Sequence, residues 1–466
     1  MGHNAPLRKE TKMKNLILAL LENVTFIAIC EKDVASQLTR DVRRLGIIRF
    51  DGQTAYIKLQ THWQKISRAD LLLVIRNLIV PADRFKVKSK DISEVAKRLS
   101  EDISLRIEIA GVCQKQQYLI NFLNGVLNIV TGEFTTDRSK WLFDYVINAN
   151  YNENCTEKDC QCFMRFIITS AGVENKECIL ISIGYGISSL TDVKKAIFYI
   201  GETDGGKSTA LKLIESAVAP ELVSNISFQQ FSDCHYIIQL LGTKLNVSYD
   251  NSQKAMDNEH IFKSIVSCER IEGRALRENP VQFIPTAKLF FASNKPYVFK
   301  HPDLALYRRM VVIPFEHSIQ PEEQDKQLLD KLKSERDAIF SLAAKSLKEF
   351  VKSGYDFKMS KKGEAYLKSR IDALHSVEEF LSDRALVDED CSVSAAVLYD
   401  NYKQWCIENA LDADKRSEFK ESVLTFNPSI DYKKVGPSKK RAWGFKGIRL
   451  KTPEELDDPD NSSEDR

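Results

Sequence analysis

The stretch "AIFYIGETDGGKSTALKLIESAV", Ala196 to Val218, decides how this chain is read. A short apolar run passes into a glycine-rich turn, then Lys-Ser-Thr, then apolar residues at helical spacing, Leu211, Ile214 and Val218. Gly201, Gly206, Lys207 and Ser208 match G-x-x-x-x-G-K-[ST]. Glycines let the backbone curl so that N–H groups point at a β-phosphate, the lysine reaches the β/γ oxygens, and the serine hydroxyl ligates Mg²⁺. The helix that follows aims its positive N-terminus at the same anion. The bland alternative is a glycine-rich turn before an ordinary helix. A strand before and a helix after favour phosphate. Gly201, Glu202, Thr203, Asp204, Gly205, Gly206, Lys207, Ser208 and Thr209 are therefore the expected ATP-binding segment, with Ser208 on Mg²⁺.

Such a site needs an acid for the metal and water. "KLNVSYD" lies about forty residues on, and Asp250 ends its apolar run. Asp250 is either a turn residue or a metal ligand, and the phosphate loop favours the ligand. Tyr249 stands before it, where many such enzymes carry a second acid. "KLFFASN" reads as another buried strand, ending in Asn294, whose amide could hold the attacking water or the γ-phosphate. "LYRRMVVIPF" sets Arg308 and Arg309 directly before a further strand. Adjacent arginines are costly to bury without an anion, so they form either a solvated strand edge or an arginine finger.

The surrounding chain is that of an ordinary soluble globular protein. It has 466 residues, 43% apolar and 28% charged, with a net charge of +2, so any attraction for nucleic acid must be local. Ten scattered cysteines and no secretory signal suggest reduced thiols and a cytoplasmic setting, that of a bacterium or a phage-infected host. Glu22 and Asn23 interrupt the longest apolar run, "NLILALLENVTFIAIC", well short of the roughly 20 residues a membrane span needs. Continuous apolar strands separated by helical stretches imply an α/β core with a parallel sheet covered on both faces. The expected divisions are a helical segment 1–47, a mixed α+β domain 48–178, an ATPase domain 179–345, a helical and DNA-binding domain 346–452, and a disordered acidic tail 453–466.

The order of these segments resembles superfamily 3 helicases, and more narrowly the phage, plasmid and poxvirus primase-helicase branch, over roughly residues 50–450. "INFLNGVLNIVTGEF" looks like the N-G-V-L-D-L-x-T-G signature of the domain before the ATPase, with Asn128 where Asp is usual. "PVQFIPTAKLFFASNKP" is similar to the third motif, with Asn294 in the sensor position, and "YRRMVVIPF" to the arginine-finger segment. "FKSIVSCERIEGRALRENP" matches the region that forms a DNA-tracking β-hairpin, with Lys263, Arg270, Arg274 and Arg277 as its charges and Cys268 where glycine is frequent. The C-terminal segment resembles the branch's winged helix. There Tyr399, Tyr402 and Trp405 read as core, while Lys433, Lys434, Lys439, Lys440 and Arg441 form a basic hairpin, either solvated or contacting phosphates.

The resemblance implies a hexameric AAA+ ring that hydrolyses ATP between subunits and moves along single-stranded and forked DNA, usually 3′ to 5′. The role implied is replication of a phage, plasmid or other mobile element, with any primase or polymerase supplied separately. The alternatives are an initiator that binds and melts an origin, and an AAA+ assembly ATPase that does not translocate.

Overall fold

The computed structural model describes residues 24–107, 115–249, 259–294, 299, 303–318, 324–374, 376–409, 411, 413–437 and 441–456. Asp250, Lys439, Lys440 and tail residues 457–466 lie outside them, as do residues 1–23 of the expected N-terminal segment. Two units are distinguished, one of residues 1–298 and 313–358, the other of 299–312 and 359–466.

In the first unit, helix α1 (Val34–Leu45) starts at Asp33, whose carboxylate accepts from the Ser36 amide. Period-two burial marks β1 (Ile48–Asp51) and β2 (Thr54–Lys58), which form an antiparallel meander with β3 (Trp63–Ile66). Helices α2 (Arg68–Asn77) and α3 (Ser89–Glu101) complete this layer, and Leu38, Val42, Phe50, Ile57, Val74 and Leu99 fill its core. A second meander follows: β4 (Leu119–Phe122), β5 (Gly125–Asn128) and β6 (Phe134–Thr135). Phe122 pairs with Gly125, so the turn between the first two strands is Leu123–Asn124 and the glycine opens the returning strand.

Helices α4 (Gln161–Ala171) and α5 (Lys176–Ile187) lead into β7 (Ala196–Gly201) and α6 (Lys207–Glu215). Further elements are β8 (Val223–Ser224), β9 (Leu245–Ser248), α7 (Glu259–Val266), β10 (Ile271–Gly273), β11 (Val281–Phe283), β12 (Lys288–Ser293) and β13 (Met310–Phe315), of which residues 313–315 belong to this unit. Five of these strands form one sheet in the order β13-β7-β12-β9-β8, and β7, β12, β9 and β8 run parallel. Every residue of β9 and β12 is buried, as the apolar runs require of strands covered on both faces. Phe198 stacks on Phe291 and meets Phe228 and Phe262 on one face, while Tyr199 packs against Phe290 and Phe315 on the other. The buried Tyr199 hydroxyl is satisfied by Ser182 Oγ of α5 at 2.9 Å. Helices α8 (Leu328–Ser334) and α9 (Arg336–Lys352) close the unit. The expected boundary at residue 345 falls inside α9, which belongs wholly to the first unit.

The second unit contains α10 (Lys361–Leu374), α11 (Ser376–Arg384), β14 (Ala385–Ser394), α12 (Ala395–Glu408), α13 (Arg416–Phe426), β15 (Asp431–Val435) and β16 (Ala442–Leu450). Its antiparallel sheet has the order β14-β16-β15. Tyr402 and Trp405 are buried in the core with Phe380, Phe419 and Phe445, and Tyr399 packs half-buried against them. The buried polar tips find partners: Tyr402 OH meets Ser376 Oγ at 2.6 Å, and Trp405 Nε1 donates to Asp383 at 2.8 Å.

Candidate nucleotide-binding site

Parallel strands end on the same edge, so the carboxyl ends of β7, β9 and β12 converge. There the turn Glu202–Gly206 joins β7 to α6 around an open cavity of about 340 Å³. Its walls include the loop from Thr203 to Thr209, Tyr249 beyond β9, Asn294 beyond β12, Phe166 of α4 and Leu328 of α8.

The loop's shape is imposed by close approach. A Cβ on Gly201 would collide with the Phe315 carbonyl, and one on Gly206 would lie 2.7 Å from both the Phe166 ring and Ser170 Oγ. Gly206 also has φ +87°, a left-handed conformation that favours glycine. Ser170 is fully buried, and its hydroxyl has no hydrogen-bond partner among the described residues. Helix α6 begins at Lys207 with Gly206 at its N-cap and no side-chain cap, leaving its first amides available to an anion.

Lys207 is 6% exposed and donates to the carbonyls of Gly201, at 2.9 Å, and Glu202. Burial holds its ammonium below the ordinary lysine value, against the opposing pull of Glu202 and Asp204. A buried cation resting on neutral carbonyls, beside uncapped amides, is a donor set suited to phosphate. Asn294 is drawn into the same site, its amide donating to Thr203 Oγ1 at 3.1 Å. Ser208 and Thr209 line the cavity from the first turn of α6. Tyr249 lines it as well, its phenol pushed well above the usual value by burial and then by Glu215.

Arg308 and Arg309 belong to the second unit, after the helical turn Leu304–Tyr307. Arg308 is exposed and Arg309 half-buried, its guanidinium donating to the Ala305 carbonyl at 2.8 Å. β13 begins only at Met310, so neither arginine is forced into the sheet and burial alone demands no anion there.

The segment expected to track DNA does contain a hairpin. β10 pairs antiparallel with β11, and Arg274 and Arg277 lie in the loop between them. Arg270, Arg274 and Arg277 are exposed, while Lys263 lies half-buried on α7. The Arg274 amide donates to the Cys234 carbonyl at 3.1 Å, and the His235 ring lies 2.9 Å from the Arg274 carbonyl, fixing one end of the loop. Cys268 has φ +52°, a left-handed conformation that explains why glycine suits this position. In the C-terminal sheet, register places Lys434 opposite Trp443 and Lys433 opposite Gly444. Lys433 and Lys434 therefore project from opposite faces, and only one of them can serve a given phosphate surface.

Phe166, Ser170 and Leu328 escaped the sequence reading. They reach the loop from distant helices, and no local pattern marks them.

The glycine-rich turn closing a parallel five-stranded sheet is compatible with a P-loop-like core. Residues 44–170 match the family model described as "D5 N terminal like", and residues 199–309 one described as "Family of unknown function (DUF5906)". A protein of Acanthamoeba polyphaga mimivirus that carries the name "Putative helicase" is 22% identical over 353 residues, covering 68% of this chain and 36% of that protein. The chain thus spans about a third of the length of this curated relative. Two apo structures of the NrS-1 C-terminal region, each 12% identical, have TM-scores of 0.47 and 0.48 and cover 88% and 90% of this chain, against 99% and 100% of their own. These are likenesses of parts of the chain: one segment to the D5 N-terminal-like model, and a longer stretch, at low identity, to a relative named a putative helicase. Among the described residues no helix is long and apolar enough to cross a membrane.

Proposed function

We propose that the chain is an ATP-dependent DNA helicase of superfamily 3, acting as a hexameric AAA+ ring in the cytoplasmic replication of a phage, plasmid or other mobile element. The observation that carries the reading is the phosphate loop. A buried Lys207 and an uncapped helix start lie at the edge where Asn294 also arrives.

In this reading the loop amides and Lys207 hold the β- and γ-phosphates of ATP, and Ser208 with Asp250 holds Mg²⁺. The bound metal neutralises phosphate charge. Asn294 orients the attacking water or the γ-phosphate, and Arg309 or Arg308 enters from a neighbouring subunit. The hairpin arginines Arg270, Arg274 and Arg277, with Lys263, follow single-stranded or forked DNA, translocating 3′ to 5′. The C-terminal unit serves as a winged helix using the basic β15–β16 hairpin.

Lys207→Ala tests the core of this reading. It should abolish ATP turnover and ATP-driven unwinding of a forked duplex while the urea midpoint holds. Retained turnover in the folded variant would refute it. Turnover without unwinding in the wild type would favour an assembly ATPase, and unwinding confined to origin DNA an initiator.

A further inference from the structure

One face of the β15–β16 hairpin continues past the edge of the core. Phe445 on that face is 1% exposed, Tyr432 is half-buried, and Trp443 is 55% exposed. The exposed indole is held by its neighbours. Its plane lies 9° from that of Tyr432 with centroids 5.3 Å apart, an offset stack, and Phe445 meets Tyr432 edge-on at 5.2 Å. Cations gather around this ladder. Lys420 of α13 places Nζ 4.0 Å from the Tyr432 centroid, Lys434 pairs across the strands with Trp443, and exposed Arg441 lies just before β16. Lys433, on the opposite face, is paired with Asp431 at 3.0 Å.

We propose that Trp443 is a stacking platform for an unpaired base of single-stranded DNA, with Lys434 and Arg441 meeting the adjoining phosphates; this rests on the DNA-binding reading above. A rigid, pre-stacked indole offers a flat π surface at little ordering cost, and any base can use it. Flanking cations suit a polyanion whose bases are exposed. An apolar protein surface would gain nothing from them.

The test measures full-length protein binding to fluorescein-labelled oligo-dT across a salt series, without nucleotide. Trp443→Ala should weaken binding roughly 5- to 150-fold, the equivalent of losing one stacked base. The salt slope should stay unchanged, because no phosphate contact is lost. Trp443→Phe should recover most of the affinity, and an oligonucleotide of abasic sites should bind wild type and Trp443→Ala alike. Unchanged affinity in Trp443→Ala, while Arg270, Arg274 and Arg277 replaced together by Ala still weaken binding, overturns the platform and leaves the DNA reading intact. A drop accompanied by a shallower salt slope also overturns it, since the loss would then be of phosphate contact. Altered sedimentation with unchanged DNA affinity assigns the surface to a second copy and overturns it too. No binding of oligo-dT by the wild type removes the DNA reading and the platform together.

Discussion

Replacing Gly206 by Ala probes the phosphate loop without touching any group that would contact phosphate through its side chain. At φ +87° a Cβ costs about 1–2 kcal/mol in backbone strain. The new methyl would also lie 2.7 Å from both the Phe166 ring and Ser170 Oγ, inside contact distance, and overpacking of that kind costs about 1–3 kcal/mol. The total is roughly 2–5 kcal/mol if the loop keeps its shape. Gly354→Ala separates the two parts, because Gly354 has φ +77° and nothing within 4 Å of its would-be Cβ, so only the strain remains. Where the loop yields instead of the fold, the cost moves into nucleotide affinity at tenfold per about 1.4 kcal/mol. Urea unfolding and titration with a fluorescent ATP analogue should therefore be read together. Their combined loss in Gly206→Ala should exceed that in Gly354→Ala by about 1–3 kcal/mol. A variant no worse than Gly354→Ala in both would mean that Phe166 and Ser170 do not shape the loop.

Subunits of Lys207→Ala mixed with subunits lacking Arg308 and Arg309 should regain ATPase activity through complementary interfaces, since a trans finger is worth about 10³–10⁵ in turnover. A mixture that assembles yet stays inactive excludes a trans role for these arginines. Replacing Arg270, Arg274 and Arg277 together by Ala should reduce the magnitude of the salt slope of single-strand binding by about 2, at roughly 0.7 per lost phosphate contact; an unchanged slope places the DNA path elsewhere. His62 has its pKa lowered to about 4, first by burial and against a weaker opposing pull from Glu221. Its contribution is complete above the unfolded value of 6.5 and is lost as pH falls towards 4, because only the unfolded chain binds the proton in that window. The loss should be roughly 2 kcal/mol after discounting partial exposure of the ring. Urea midpoints across this window should show the slope in the wild type and not in His62→Gln, and equal slopes refute the assignment.

What could be read from the sequence follows from which forces are local. β7, β9, β12 and β13 were legible as apolar runs because strands covered on both faces have no polar side to interrupt them. Their order was not, since the placement of β12 between β7 and β9 depends on pairings between residues far apart in sequence. The two-residue strand β8 carries too little pattern to be seen at all. The arginines lie directly before β13, as the sequence suggests, but their exposure could not be read from it: a helical turn ending just before them leaves one exposed and the other half-buried. At the loop the division is sharpest. Its chemistry, glycines followed by lysine and hydroxyls, is written in consecutive residues. Its shape is held from outside, by Phe166 and Ser170 on α4 and by the Phe315 carbonyl on β13. The same nine residues placed between another strand and helix would keep the motif and lose the walls that force glycine at 201 and 206. A motif match therefore states which groups are offered to phosphate, whereas the packing behind the loop decides whether they are held in position to receive it.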